Sequence, residues 1–172
     1  VRFADENTVL LAWVDEAEAR SHPVARLNQQ RMSANFEALS KSTDQRGRPL
    51  RVIKVPLPGI VERSVVLSAN ADTAYSNEWT AAAFPAREKR NEGDTVVQLA
   101  TTSYLNHVLV NDMVLLPTYV AHGTPPERQD RVRKIYESVF PGRSVKFIDA
   151  MNANWVGGGA HCATMTEPAR RG

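Results

Sequence analysis

The chain has 172 residues, 42% of them hydrophobic and 23% charged, and a net charge of only +2. This length fits one compact domain with a substantial core, and the composition excludes collagen-like, acidic-tail and disordered chains. The charges are scattered, and the densest basic cluster, residues 87–90, includes an acid and no aromatic residue, which is unlike a nucleic-acid surface. The single cysteine excludes an internal disulfide and a Cys-rich zinc site, and no apolar run approaches the ~18 residues of a membrane span. We therefore expect no nucleic-acid partner and no membrane partner.

The first residue is Val1 rather than Met, and an apolar stretch follows almost at once without a secretion signal. We interpret the chain as a piece of a longer protein that is cut at its N-terminal side.

In the first part of the chain, residues 7–14 form a continuous apolar run that predicts a buried strand. His22-Pro23 opens a segment with apolar residues at helical spacing that ends near residue 42. Residues 50–55 alternate between apolar and basic side chains and predict a second strand. Residues 60–93 are harder to interpret: 65–67 form a short strand candidate, and 70–90 are predicted as loop.

The later part of the chain has a clearer pattern. Residues 95–99 predict a strand, and 103–117 predict a β-hairpin that turns at Asn111-Asp112. A helix is expected to begin at Pro125-Pro126, and a last strand covers 145–148.

These two parts match each other. Each contains a strand, a helix and a second strand that is entered through a Gly-Arg pair, Gly47-Arg48 in the first and Gly142-Arg143 in the second. The repeat predicts an α/β protein assembled from copies of one motif. Chance similarity of two ordinary β-α-β units is the alternative.

The strongest local feature is the glycine-rich segment 155–164, in which three consecutive glycines precede Ala160, His161 and Cys162. We do not expect packing or helix propensity to explain these glycines, which let the backbone approach another group closely and present N–H groups toward developing charge. Cys162 is accordingly a candidate nucleophile, and a small buried hydrophobic residue is the alternative.

The histidines do not offer a clear base for this thiol. If residues 160–164 are extended, His161 and Cys162 point to opposite faces, which favours a structural role for His161. His22 is expected to cap a helix, and His122 to lie in an exposed loop. His107 is expected to face away from its neighbour Asn106. Paired catalytic carboxylates, phosphate-binding loops and metal-ligand spacings are not found.

Asn106 lies in a segment that otherwise predicts a buried strand. Because a buried amide needs hydrogen-bond partners, Asn106 either fixes a neighbouring loop or faces a polar ligand. Asp149 is more simply interpreted as a helix cap.

Segment 157–164 resembles the C-terminal nucleophile motif of the family of agmatine deiminases and Porphyromonas-type peptidylarginine deiminases. Residues 1–13, 47–58, 103–117 and 140–149 are similar to the same family in the same order. The resemblance implies a pentein-type β/α propeller of five ββαβ repeats. Residues 1–172 would be the C-terminal part of that single catalytic domain, with about two to three of the repeats. The catalytic histidine and the guanidinium-binding carboxylates would then lie upstream.

The same resemblance implies a guanidino hydrolase. Cys162 would form the covalent intermediate, and Asn106, Gly158 and Gly159 would line the substrate site without a metal or an organic cofactor. The segment lacks one residue that agmatine-specific members usually carry between the glycines and the His-Cys pair. Agmatine is the favoured substrate, and peptidyl arginine is the alternative. The resemblance also implies a cytoplasmic enzyme and leaves a homo-oligomer open.

Two other classes remain open: a non-catalytic interaction domain that kept the loop without the chemistry, and a redox-sensing thiol. We further expect the 172-residue chain alone to be inactive and prone to self-association. A partial ring of repeats would expose strand edges that neighbouring repeats normally cover.

Overall fold

The computed structural model describes residues 1–69 and 79–165, which fold as a mixed α/β structure with three small sheets. The mixed α/β class predicted from the sequence is therefore confirmed. Residues 70–78, within the predicted loop 70–90, and the tail 166–172 lie outside the described residues. The strands are β1 (Arg2–Phe3), β2 (Thr8–Trp13), β3 (Arg51–Pro56), β4 (Glu62–Val66), β5 (Thr95–Leu99), β6 (Val108–Val110), β7 (Met113–Pro117) and β8 (Ser144–Ile148). The helices are α1 (Glu16–Ser21), α2 (Pro23–Ser40), α3 (Pro126–Val139) and α4 (Met151–Trp155), with 3-10 turns at Ala81–Ala83, Ala86–Glu88 and Val120–His122.

The internal duplication is confirmed and is larger than the sequence predicts, because an antiparallel strand precedes each β-α-β unit. In the first unit, β2 lies between antiparallel β1 and parallel β3; in the second, β7 lies between antiparallel β6 and parallel β8. The backbone hydrogen bond at the start of the last strand, β3 or β8, also corresponds between the two units. The amide of Arg51 donates to the carbonyl of Asn7 at 2.8 Å, and the amide of Ser144 donates to that of Asp112 at 2.7 Å.

The two Gly-Arg pairs explain how each helix returns to its sheet. Gly47 and Gly142 have φ of +76° and +83°, a left-handed conformation that favours glycine. The arginine that follows fixes the turn: Arg48 binds the carboxylate of Asp44 at 2.6 Å, and Arg143 donates to the carbonyl of Asn111. The repeated Gly-Arg dipeptide therefore stabilises the turn between the helix and the last strand of each unit.

Residues 103–107 do not form the predicted strand. The hairpin of β6 and β7 begins only at Val108 and turns, as predicted, through Asn111, whose φ is +47°. The hydroxyl of Ser103 accepts from the amide of Leu105 at 3.1 Å, and the carbonyl of Ser103 accepts from the amide of Asn106 at 3.2 Å. Such serine-centred turns compete with strand pairing, which explains the wrong prediction.

The predictions for helices α2 and α3 are confirmed, and one short helix was missed. Helix α1 begins after Asp15, whose carboxylate accepts from the amide of Glu18 at 2.8 Å. Strand β4 covers more residues than the short candidate and pairs antiparallel with β5 as a separate two-stranded sheet.

One hydrophobic core joins the two units. Leu10 and Val55 from the first sheet pack with Val114 and Leu116 from the second. Three aromatic residues at its centre, Tyr104, Tyr119 and Tyr136, are each at most 1% exposed. Tyr104 belongs to the turn that carries Asn106, and the hydroxyls of Tyr119 and Tyr136 bind the backbone of that turn.

The exposed face of the β4–β5 sheet carries three apolar side chains among polar ones. Val66 and Val97 are each 63% exposed, and Leu99 is 40% exposed. This face fits the expectation that the chain alone self-associates, which stays a prediction. In the described ranges, 1–69 and 79–165, no helix combines the length and apolar character needed to cross a bilayer.

Candidate active site

The glycine-rich segment begins as the end of helix α4. Gly157 has φ of +83°, its amide donates to the carbonyl of Asn154 at 3.3 Å, and the amide of Gly158 donates to that of Ala153 at 2.8 Å. This pair of bonds around a left-handed glycine is a Schellman helix end. Gly157 therefore terminates a helix, a role that the sequence analysis did not consider. Helix α4 begins at Met151 with Ala150 as its N-cap residue, and the Asp149 carboxylate accepts from the amide of Met151 at 2.8 Å, as expected of a capping side chain.

Residues 159–164 then form a tight turn, so the extended backbone on which the argument about His161 depended does not occur. The amide of Ala163 donates to the carbonyl of Gly159 at 3.2 Å, and the amide of Thr164 donates to that of His161 at 3.0 Å. The hydroxyl of Thr164 binds the same His161 carbonyl at 2.9 Å. Because the backbone is not a strand, the argument that His161 and Cys162 occupy opposite faces is wrong.

The turn presents Cys162 to solvent and places it against Asn106. The Nδ2 atom of Asn106 lies 3.2 Å from the sulfur of Cys162, and Oδ1 of the same amide accepts from the main-chain N–H of His161 at 2.6 Å. Of the two roles that the sequence left open for Asn106, the structure shows loop fixation. Contact of Asn106 with a substrate stays a prediction.

The lack of a side chain at Gly159 leaves room for the Asn106 amide to lie against the turn. A β-carbon built on Gly159 would lie 2.5, 2.6 and 2.7 Å from Cγ, Nδ2 and Oδ1 of Asn106. Gly158 is different, because its β-carbon would meet only the Ala153 carbonyl, at an ordinary 3.5 Å. The Gly158 carbonyl accepts from Nδ2 of Asn154 at 2.9 Å. Gly158 and Gly159 thus both have a structural role in the turn, and their direct contact with a substrate stays a prediction.

Two buried tyrosines hold the turn that carries Asn106. The hydroxyl of Tyr119 accepts from the amide of Ser103 at 3.0 Å, and that of Tyr136 donates to the carbonyl of Tyr104 at 2.9 Å. Burial raises the pKa of Tyr119 to about 12, so its hydroxyl stays protonated. The sequence analysis assigned no role to Tyr119 or Tyr136, because neither lies in a motif and their partners come from distant segments.

His107 belongs to this support and is not a base for Cys162. It is fully buried, and its Nδ1 lies 2.9 Å from the Tyr136 hydroxyl. Since the single hydroxyl hydrogen of Tyr136 goes to the Tyr104 carbonyl, the proton of the imidazole is assigned to Nδ1. Burial, followed by the charges of Arg2 and His161, lowers the pKa of His107 to about 3. The ring is therefore neutral at physiological pH.

The imidazoles of His22 and His122 have partners away from Cys162. Nδ1 of His22 accepts from the amide of Val24 at 3.1 Å and caps α2, as predicted. Nε2 of His122 lies 3.9 Å from the Asp149 carboxylate, in a 3-10 turn rather than an exposed loop. Throughout residues 1–69 and 79–165, no three His, Cys, Asp or Glu side chains cluster as metal ligands.

The arrangement places an exposed thiol beside an amide donor on a hydrogen-bonded turn. The imidazoles of His22, His107 and His122 bind elsewhere, whereas His161 adjoins Cys162 in the exposed turn.

Comparison with known proteins gives a consistent result. Residues 1–168 match the family model of Porphyromonas-type peptidyl-arginine deiminases. The agmatine deiminase of Ectopseudomonas mendocina is 29% identical over 164 residues, which are 95% of this chain and 38% of that protein. That of Pseudomonas fluorescens Pf-5 is 29% identical over 161 residues, which are 94% of this chain and 37% of that protein.

A solved structure of an agmatine deiminase of Enterococcus faecalis has the same fold, with a TM-score of 0.65 at 21% identity. The match covers 98% of this chain and 39% of that one. The chain thus spans less than two fifths of the length of these relatives. The match of the family model over nearly every residue shows that the chain belongs to the Porphyromonas-type peptidyl-arginine deiminase family.

Proposed function

We propose that the protein containing this chain hydrolyses a guanidino group and that Cys162 is its nucleophile. Membership of the family and the likeness to agmatine deiminases support the reaction class. The observation that carries the assignment is the exposed sulfur of Cys162, held 3.2 Å from the Asn106 amide on a turn that Gly159 makes close-fitting.

The reaction runs in two covalent steps. The Cys162 thiolate forms a bond to the guanidinium carbon, one amino group takes up a proton, and the C–N bond breaks to release ammonia. This leaves a cationic amidino-cysteine. Water then adds to the same carbon and gives up both of its protons, and the C–S bond breaks to return the thiolate and a ureido product. Each step has a lower barrier than direct attack of water on the resonance-stabilised cation.

Charge favours this order of events. The thiolate is the reactive form of a cysteine, and a bound guanidinium cation next to the sulfur favours the anionic form electrostatically. Asn106 contacts the sulfur, and Asn106, Gly158 and Gly159 would line the substrate site. No step requires a metal ion or an organic cofactor.

We assign the proton transfers to residues outside this chain. His107 is excluded as the base because it is buried, neutral and bound to Tyr136. We assign the transfers to a histidine, and guanidinium binding to carboxylates, in the upstream part of a pentein propeller of five ββαβ repeats. The two ββαβ units observed here would be consecutive members of that ring.

Agmatine is the proposed substrate, with N-carbamoylputrescine and ammonia as products. The two relatives compared above are agmatine deiminases, whereas the family model is named for peptidyl arginine. Both substrates present the same guanidinium group to Cys162, so the choice between them depends on how the rest of the molecule is bound.

The test is ammonia release by the full-length protein with agmatine and, separately, with an arginine peptide. We expect turnover of agmatine and a loss of at least about a thousandfold in Cys162→Ser, because removing a covalent nucleophile removes a main route of catalysis. The matched control joins Cys162→Ser with Ser138→Cys, which keeps one thiol on an exposed face of α3. We expect this control to be inactive. Turnover by either variant at the wild-type rate would contradict the assignment of Cys162. Faster turnover of the arginine peptide than of agmatine would identify peptidyl arginine as the substrate instead.

A further inference from the structure

The Asn106 amide has an orientation that its partners dictate. A main-chain N–H can only donate a hydrogen bond, so the Asn106 atom 2.6 Å from the His161 amide must be the carbonyl oxygen. The amino group is then the atom that faces the sulfur of Cys162 at 3.2 Å. Asn106 therefore donates to the sulfur, and both polar atoms of its side chain are used within the turn.

We propose that Asn106 is a positioning residue for Cys162: its amino group holds the sulfur and stabilises it while the sulfur carries negative charge. This inference rests on the proposed role of Cys162 as nucleophile. A hydrogen bond to an anion is stronger than one to a neutral group, so the contact strengthens whenever the sulfur is a thiolate. That state occurs at the start of the reaction and again when the C–S bond breaks, and Asn106 favours it at both points.

The donor is rigid, which is what positioning requires. Its turn is anchored from below by the hydroxyls of Tyr119 and Tyr136. On the other side, the backbone of Gly159 lies so close to the Asn106 amide that no β-carbon would fit. Asn106 thus has little freedom to lose when the sulfur becomes charged, and the contact costs no reorganisation.

A purely structural role is the competing explanation, because the bond from Oδ1 to the His161 amide alone would hold the turn. Replacement by aspartate separates the two. Asn106→Asp keeps an oxygen for the His161 N–H but turns a carboxylate oxygen, which cannot donate, toward the sulfur. Asn106→Ala removes both contacts and introduces no clash with Gly159.

The readout is the rate at which iodoacetamide alkylates Cys162 in the full-length protein, followed across pH by mass spectrometry. Alkylation reports on the thiolate and requires no guanidino hydrolysis. We expect Asn106→Asp and Asn106→Ala each to slow alkylation at neutral pH by about tenfold or more, as for loss of a charge-assisted hydrogen bond. In agmatine turnover, kcat should fall while KM changes little, because Asn106 acts through Cys162. Asn152→Asp, on the exposed side of α4, adds the same charge without touching the turn and is expected to behave as wild type.

Wild-type alkylation in Asn106→Asp, whether or not Asn106→Ala is slow, would overturn the donor role and leave only fixation of the turn. If Asn106→Asp fails to fold, Asn106→Ala decides: an unchanged alkylation rate, or a rise in KM without a fall in kcat, overturns the proposal. Slowed alkylation in a protein that hydrolyses no guanidino compound would support the role of Asn106 and refute the proposed function instead.

Discussion

A β-carbon on Gly159 would lie 2.5 Å from Cγ of Asn106, closer than real β-carbons approach any neighbour. The residue that precedes the Ala-His-Cys triplet and the amide that binds the sulfur thus occupy adjoining space. This relationship joins two segments far apart in the chain and gives the site its most specific steric requirement.

Gly159→Ala should therefore displace Asn106 and destabilise the protein. Overpacking in a close-fitting site costs about 1–3 kcal/mol, and we expect that loss in the free energy of unfolding by denaturant titration. Gly158→Ala is the matched control, because its β-carbon would meet a carbonyl only at 3.5 Å. Equal losses in the two variants would show that glycine is needed for backbone freedom rather than for space.

The support beneath the site can be tested with two neighbouring tyrosines. Tyr136→Phe removes the hydroxyl that binds the Tyr104 carbonyl and His107, leaving buried polar groups without a partner. We expect a loss of about 1–3 kcal/mol in unfolding free energy. The Tyr104 hydroxyl is buried and makes no hydrogen bond to the described residues, so Tyr104→Phe should cost much less. A Tyr104→Phe loss as large as that of Tyr136→Phe would contradict the assigned support.

Acid should unfold the protein partly through His107. The pKa of His107 is about 3 in the folded state, against an ordinary value of 6.5. Below pH 6.5 the unfolded chain therefore binds a proton that the folded chain does not bind. The stability supplied by the neutral ring is therefore complete above pH 6.5 and is lost as pH falls toward about 3. The loss approaches 1.4 kcal/mol per pH unit for one proton.

Urea titrations between pH 7 and pH 4 measure this slope, and His107→Gln, which does not titrate, should flatten it. An identical slope in wild type and His107→Gln would assign acid sensitivity to other groups.

The sequence predicted those features that depend on neighbours in the chain. The Gly-Arg turns, the Asn111 hairpin and the caps formed by His22 and Asp149 are local chemistry, and each is confirmed. Strand and helix periodicity likewise predicted the duplicated units.

The site itself depended on contacts that no local pattern contains. Asn106 and Cys162 are 56 positions apart, and the turn around Asn106 is fixed by Tyr119 and Tyr136 from other elements. Local alternation therefore predicted a strand where a serine side chain and two distant hydroxyls stabilise a turn. The glycines suggested a close approach, but only the fold shows that Gly159 meets Asn106 while Gly157 ends a helix.

The most direct test of the central claim is to trap the covalent intermediate. The full-length protein is mixed with agmatine, quenched in acid during turnover and digested, and the peptide containing Cys162 is weighed by mass spectrometry. We expect that peptide to carry agmatine less one ammonia on the sulfur, with no such adduct in Cys162→Ser. Continued turnover with Cys162 unmodified, and an adduct on another residue, would contradict the assignment of Cys162 as nucleophile.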